Sequence, residues 1–207
     1  MQARRQGYLE GWYLLGLTSL VMAALAVWLA HMRGFEVDGV RMVVRYTART
    51  SLLFFCLAFS ASALQRLWST PYTRWQLRNR RYLGLSFAVS HLIHLIAIVG
   101  FAAMAPPLFA EATSPASFIF GGIGYALIIA MAATSFDRTA HAIGRRAWRI
   151  LHASGAYYLW FQFMVSFGKR VPEMPNYAWF LVPLLAVLAL RVMAAVQARE
   201  WRVASSE

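Results

Sequence analysis

Two imidazoles set in apolar sequence have the most chemistry to offer: His94, which closes Ser90-His91-Leu-Ile-His94, and His152, which closes Trp148-Arg-Ile-Leu-His152. An ionisable ring in hydrocarbon is costly, so a function is its default explanation. Neutral imidazole is a good ligand for haem iron, and helical bundles build cofactor sites from inward side chains on facing helices. Two axial imidazoles hold iron six-coordinate, a state suited to moving one electron rather than binding oxygen. The plainer alternative is that each ring hydrogen-bonds a neighbouring helix and supports packing. His91 lies three residues before His94 and shares its face, as an alternative ligand or a supporting side chain. His141 falls in a polar segment and reads as a solvated loop residue, and His31 reads as interfacial.

The elements that must position these rings are membrane helices. Of the 207 residues, 60% are apolar and only 14% charged, and the apolar residues run in stretches too long for a soluble core. Six stretches are long enough to span a bilayer, which takes about 17 to 25 residues. They lie near Gly11 to Ala30, Val44 to Leu67, Leu83 to Ala105, Ser117 to Ser135, Ala147 to Phe167 and Tyr177 to Gln197. The expected fold is therefore all-α: a polytopic bundle of six transmembrane helices in one transmembrane domain over residues 1–207. The first stretch reads as a retained helix, since no small-x-small cleavage site directly follows it. Arg33-Gly34 marks a turn, and Pro106-Pro107, Pro115 and Pro172 mark other helix ends or entries.

The net charge of +12 sits in arginine clusters between the apolar stretches, not in a basic stretch interleaved with aromatics, which argues against nucleic acid. Arg4 and Arg5 precede the first stretch. Arg66, Arg74, Arg78, Arg80 and Arg81 lie around the junction of the second and third, Arg138, Arg145, Arg146 and Arg149 around that of the fourth and fifth, and Arg199 and Arg202 after the sixth. With an even number of spans these all fall on one side, and the positive-inside rule makes it cytoplasmic, with both termini inside. Arg191, in the last turns of the sixth stretch, is expected to snorkel to that face. The basic inner surface favours anionic lipids or an acidic donor protein. The eight tryptophans fall mostly near helix ends, as interfacial anchors. Cys56, the one cysteine, reads as a small buried side chain, and Gly121-Gly122-Ile-Gly124 as a site of close helix packing. No Gly-rich fingerprint follows a strand, so an electron donor must be another chain or a small molecule.

A family resemblance rests on ordered landmarks: Thr47-Ala-Arg49-Thr-Ser-Leu-Leu, Thr70-Pro71, Arg80-Arg81-Tyr-Leu-Gly84-Leu85, Leu92-Ile-His94, Thr134-Ser135, Ile143-Gly144 and Trp148-Arg-Ile-Leu-His152. Over roughly residues 46–167 the chain resembles the ferric-reductase-like transmembrane domain, with an additional helix on each side. Within that family it is most similar to the haem-binding membrane subunits of bacterial periplasmic methionine sulfoxide reductase systems. The resemblance implies a multi-pass protein of the bacterial inner membrane that holds b-type haem. Electrons would pass from a separate cytosolic flavin reductase or a quinol to an extracytoplasmic acceptor or partner reductase. A quinone or a flavin would then come from the partner side. His94 and His152 match family haem ligands, whereas two further ligand positions are occupied by Val165 and Arg80.

This departure bears on haem number. Counted from the cytoplasmic arginines at about 1.5 Å per residue, His94 lies roughly 20 Å along its helix and His152 only about 5 Å along its own. His91 narrows the gap by about 4.5 Å, and helix tilt absorbs part of the rest. One haem held by His94 and His152 is the favoured arrangement. Separate haems, with Gln162 the polar residue nearest the level of His94, and loss of haem are the alternatives. A guanidinium is a good bidentate partner for a haem propionate, which makes Arg49, Arg80 and Arg81 candidates to hold that group. A haem-free scaffold or assembly subunit, favoured by Val165, and a small-molecule transporter are the competing functions. No inverted repeat supports the transporter.

Overall fold

The computed structural model describes residues 9–204, so Arg4, Arg5 and the Arg202 side chain lie outside the described residues. The chain is helical throughout: α1 Gly11–His31, α2 Val37–Leu67, α3 Pro71–Arg78, α4 Arg80–Met104, α5 Pro106–Ala112, α6 Pro115–Ala133, α7 Asp137–Gly168, a 3-10 turn Pro175–Phe180, and α8 Leu181–Ala204. Five segments are long and apolar enough to cross a membrane: α1, α2, α4, α6 and the stretch from Pro175 to Trp201. The sixth expected stretch, 147–167, is helical within α7 but carries Arg149, His152, Ser154 and Gln162, and it is not among the five. Large apolar side chains point outward, as on Leu20 (68% exposed), Ile96 (64%) and Ile129 (65%), the distribution a lipid-facing surface requires. The protein is a multi-pass membrane helical bundle.

Prolines and small polar residues punctuate the chain. Pro71, Pro106 and Pro115 each stand in the first turn of a helix, where a missing N–H costs nothing. Thr70 caps α3 in a reciprocal box with Thr73. The turn expected at Arg33-Gly34 is present, with Gly34 at φ 64° and the amide of Phe35 closing on the carbonyl of Ala30 at 2.9 Å. Within α7, Gly144 leaves the helical region (φ 78°, ψ 156°) and kinks the helix between a short, mostly exposed first part and the long second part. His141 therefore sits on helix rather than in a loop, although it is exposed as expected.

The α2 helix is the centre of the bundle. It packs on α4 along its length, on α8 at its other flank and on α1, while α6 lies on α7 and α7 reaches α8. Leu52, Phe55 and Phe59 of α2, Phe87 of α4, Ile128 of α6, Leu159 and Phe163 of α7 and Leu184 of α8 form the main apolar core. Cys56 is buried in it. Of the three glycines in α6, only Gly124 meets a neighbour, Leu159 and Tyr158 of α7.

Candidate functional site

The α2–α4 seam is polar and buried, and it sets the height of the α4 histidines. Ser90, with no exposed surface, lies 2.8 Å from the Thr50 hydroxyl, accepts from Ser51 at 2.9 Å and approaches the Thr47 carbonyl at 3.1 Å. One turn further along α4, His94 places Nδ1 2.8 Å from the Thr47 hydroxyl. The His91 ring stands among Phe87, Tyr125, Phe163 and His94, with ring centroids 4.6, 5.7, 5.9 and 5.7 Å away. Its Nδ1 is buried with no hydrogen-bond partner among the described residues. Burying a polar atom without a partner costs about 1–3 kcal/mol, so this nitrogen is an unexplained expense within the bundle.

A cavity of about 320 Å³ opens between α2, α4, α6 and α7. His152 lines it, together with Arg80, Arg81 and Gly84 from the start of α4 and an apolar wall that includes Phe55, Phe59, Phe87, Ile128 and Leu159. His152 stacks on Trp148 (centroids 4.2 Å, 23° between planes) and places Nε2 3.0 Å from the Thr134 hydroxyl at the end of α6. Trp148 in turn donates its indole N–H to the carbonyl of Thr134 at 3.0 Å, so the three residues form a closed group. Arg80 donates to Ser62 Oγ at 3.2 Å. Arg81 pairs with Asp137 at the outset of α7. The hydrogen bond from Arg81, and then its charge, hold the Asp137 carboxyl below the ordinary carboxylate range.

His152, Arg80 and Arg81 share the cavity, while His91 and His94 keep each other's company along α4, and His94 does not line that cavity. Each principal histidine is tied to a threonine on the helix beside it, α2 for His94 and α6 for His152. Arg49 belongs to neither group: its guanidinium lies 5.3 Å over the Phe180 ring. Val165, at the expected extra ligand position, is 46% exposed. Arg191 donates Nη1 to the Phe59 carbonyl at 2.9 Å and lies 4.3 Å over the Phe59 ring and 5.2 Å over Tyr157, so aromatic faces and a carbonyl partner its charge. Trp148 and Trp160 also do more than anchor: Trp160 donates to the Leu184 carbonyl at 2.9 Å and joins α7 to α8. Sequence reasoning missed Thr47 and Thr134 as histidine partners, although both stand in the motifs quoted above.

The protein-methionine-sulfoxide reductase heme-binding subunit MsrQ of Klebsiella pneumoniae (strain 342) is 29% identical over 179 residues, covering 77% of this chain and 81% of its own length. The subunit of the same name from Salmonella arizonae is 26% identical over 195 residues, covering 84% and 86%. No solved structure matches. The family described as ferric reductase like transmembrane component matches residues 45–163, from the start of the polar seam on α2 to Phe163 of α7. That interval holds Thr47, His94, Thr134 and His152 and more than half of the chain, which therefore belongs to the ferric reductase like transmembrane component family.

Proposed function

We propose that this chain is a b-type haem-binding subunit of the bacterial inner membrane that carries electrons from a cytosolic flavin reductase or a quinol to an extracytoplasmic acceptor or partner reductase. The observation that carries the reading is the cavity at His152, in which one imidazole and two guanidiniums line a mainly apolar wall of aliphatic and aromatic side chains. That donor set fits a flat apolar macrocycle with carboxylates at its rim. Gly84 leaves open space where any side chain would intrude, and the unpartnered His91 Nδ1 is a second feature the chain's own contacts do not explain. The relatives named as haem-binding subunits support the same reading.

In this reading His152 and His94 are the iron ligands, each held by a threonine of the helix beside it. When bound, the haem supplies one-electron transfer. Arg80 and Arg81 pair with its carboxylates and place their charge beside it. Phe55, Phe59, Phe87 and Leu159 exclude water from the cavity, which lowers the local dielectric and strengthens those charge interactions. Arg81 is shared with Asp137, which ties the cavity's rim to the first turn of α7.

The test is a dithionite-reduced minus oxidised spectrum of the detergent-purified chain, with haem counted per chain, for the wild type, His94→Ala and His152→Ala. A low-spin b-type spectrum, lost or turned high-spin in both variants, is the expected result. A colourless wild type made with ample haem would overturn the reading in favour of a haem-free scaffold, the second reading that Val165 favours.

A further inference from the structure

We propose that Thr47 and Thr134 are positioning residues that decide which ring nitrogen each histidine offers: Nε2 on His94 and Nδ1 on His152. The proposal rests on the haem reading only for its consequences, since the ring protonation follows from the hydrogen bonds of the two threonines.

Thr47 Oγ1 lies 2.7 Å from the Val43 carbonyl and 3.1 Å from that of Val44. A carbonyl can only accept, so the single hydroxyl hydrogen goes to it, and the oxygen is left to accept from His94 Nδ1 at 2.8 Å. His94 is thereby held with its proton on Nδ1 and its lone pair on Nε2, the nitrogen farther from the backbone. At Thr134 the arrangement repeats on the other ring nitrogen. Oγ1 lies 2.7 Å from the Ala130 carbonyl and accepts from His152 Nε2 at 3.0 Å, which leaves the lone pair on Nδ1. Trp148 stacked on the ring, with its indole bonded to the Thr134 carbonyl, resists rotation of His152 away from this pose.

The two histidines are therefore not interchangeable. A metal-ligating histidine donates its second N–H to a fixed acceptor, which orients the ring and raises its basicity, and Thr47 is such an acceptor for His94. Because its own hydrogen is given to a carbonyl, the Thr47 oxygen is also a better acceptor than a free hydroxyl. Thr134 does the reverse: it occupies Nε2 of His152, so that ring offers its outer nitrogen only after the bond to Thr134 breaks. His94 offers Nε2 as it stands, whereas His152 offers Nδ1 as it stands and Nε2 only once its bond to Thr134 is broken.

The experiment uses the full-length chain in detergent with ¹⁵N-labelled histidine. At neutral pH, NMR is expected to find His94 protonated at Nδ1 and His152 at Nε2. Thr47→Val is expected to change the His94 signals alone, Thr134→Val those of His152 alone, and Thr47→Ser, which keeps the hydroxyl, neither. In the haem-loaded protein, Thr47→Val removes electron density from the iron's ligand and raises the ferrous-to-ferric ratio at fixed poise about threefold, ~28 mV at ~59 mV per tenfold for one electron. Thr134→Val instead raises haem occupancy at limiting haem. His94 protonated at Nε2 in the wild type, or a Thr47→Val chain with unchanged ring signals and potential, would overturn the proposal. If the wild type takes up no haem, the haem reading fails while the ring signals still decide the assignment of the nitrogens.

Discussion

Ser90 joins Thr50, Ser51 and the Thr47 carbonyl in one buried cluster, and it does so one turn before His94. Ser90→Ala leaves the fully buried Ser51 hydroxyl without that partner, and should cost roughly 1–2 kcal/mol, read as a lower melting temperature in detergent. Substitution of Leu92, 56% exposed on the outer face of the same helix, is expected to change stability by less than about 0.5 kcal/mol. At this scale the sequence made His94 and His152 visible, since ionisable rings stand out in apolar stretches. It did not reveal Thr47 or Thr134 as their partners, because a hydroxyl's partner depends on the rotation of two helices about their axes. The partners of Arg191, the Phe59 carbonyl and the Phe59 and Tyr157 rings, are hidden in the sequence for a related reason, since both residues lie far from it along the chain.

Among the elements, two glycines with opposite surroundings make a paired test. A Cβ on Gly39 meets the Ala30 carbonyl oxygen at 3.0 Å and its Cα at 3.3 Å, where the backbones of α1 and α2 cross closely. Gly39→Ala should therefore lose about 1–3 kcal/mol through overpacking. Gly84 has nothing within 4 Å, and Gly84→Ala gains about 1 kcal/mol of helix propensity. Thermal unfolding of both variants checks the opposite signs, and unchanged stability in Gly39→Ala would contradict the close approach. The long apolar stretches were legible as helices because their length exceeds anything a soluble core needs. The eight-residue α3, the seven-residue α5 and the extension of α2 back to Val37 were not legible, because short or charged helices lack that signal. Ile143-Gly144 stands in the sequence as a family landmark, and the kink it makes in α7 depends on a φ of 78° that glycine alone adopts readily.

For the molecule as a whole, the distribution of arginines argues that the ends of α2, α4 and α7 nearest Arg80 face the cytoplasm. The single cysteine makes this testable. In a Cys56→Ser background, Glu173→Cys should react with a membrane-impermeant maleimide added outside spheroplasts, and Ala142→Cys only after lysis. The reverse pattern would overturn the orientation with both termini inside. Both replaced positions are exposed, so the labelling reads side rather than burial.

The start of α1 is fastened by residues that come much later in the chain. The Gly11 amide donates to Asn79 Oδ1 at 2.8 Å, the Trp75 indole donates to the Leu9 carbonyl at 2.8 Å, and Arg78 pairs with Glu10 at 3.0 Å. A ribosome feeding this chain into a membrane delivers the first two helices before any of those fasteners exists. Until α3 has emerged, α1 has its packing on α2 but not these fasteners. The order of synthesis makes the stretch from Trp75 to Asn79 the part of the chain that completes the anchoring of the start of α1.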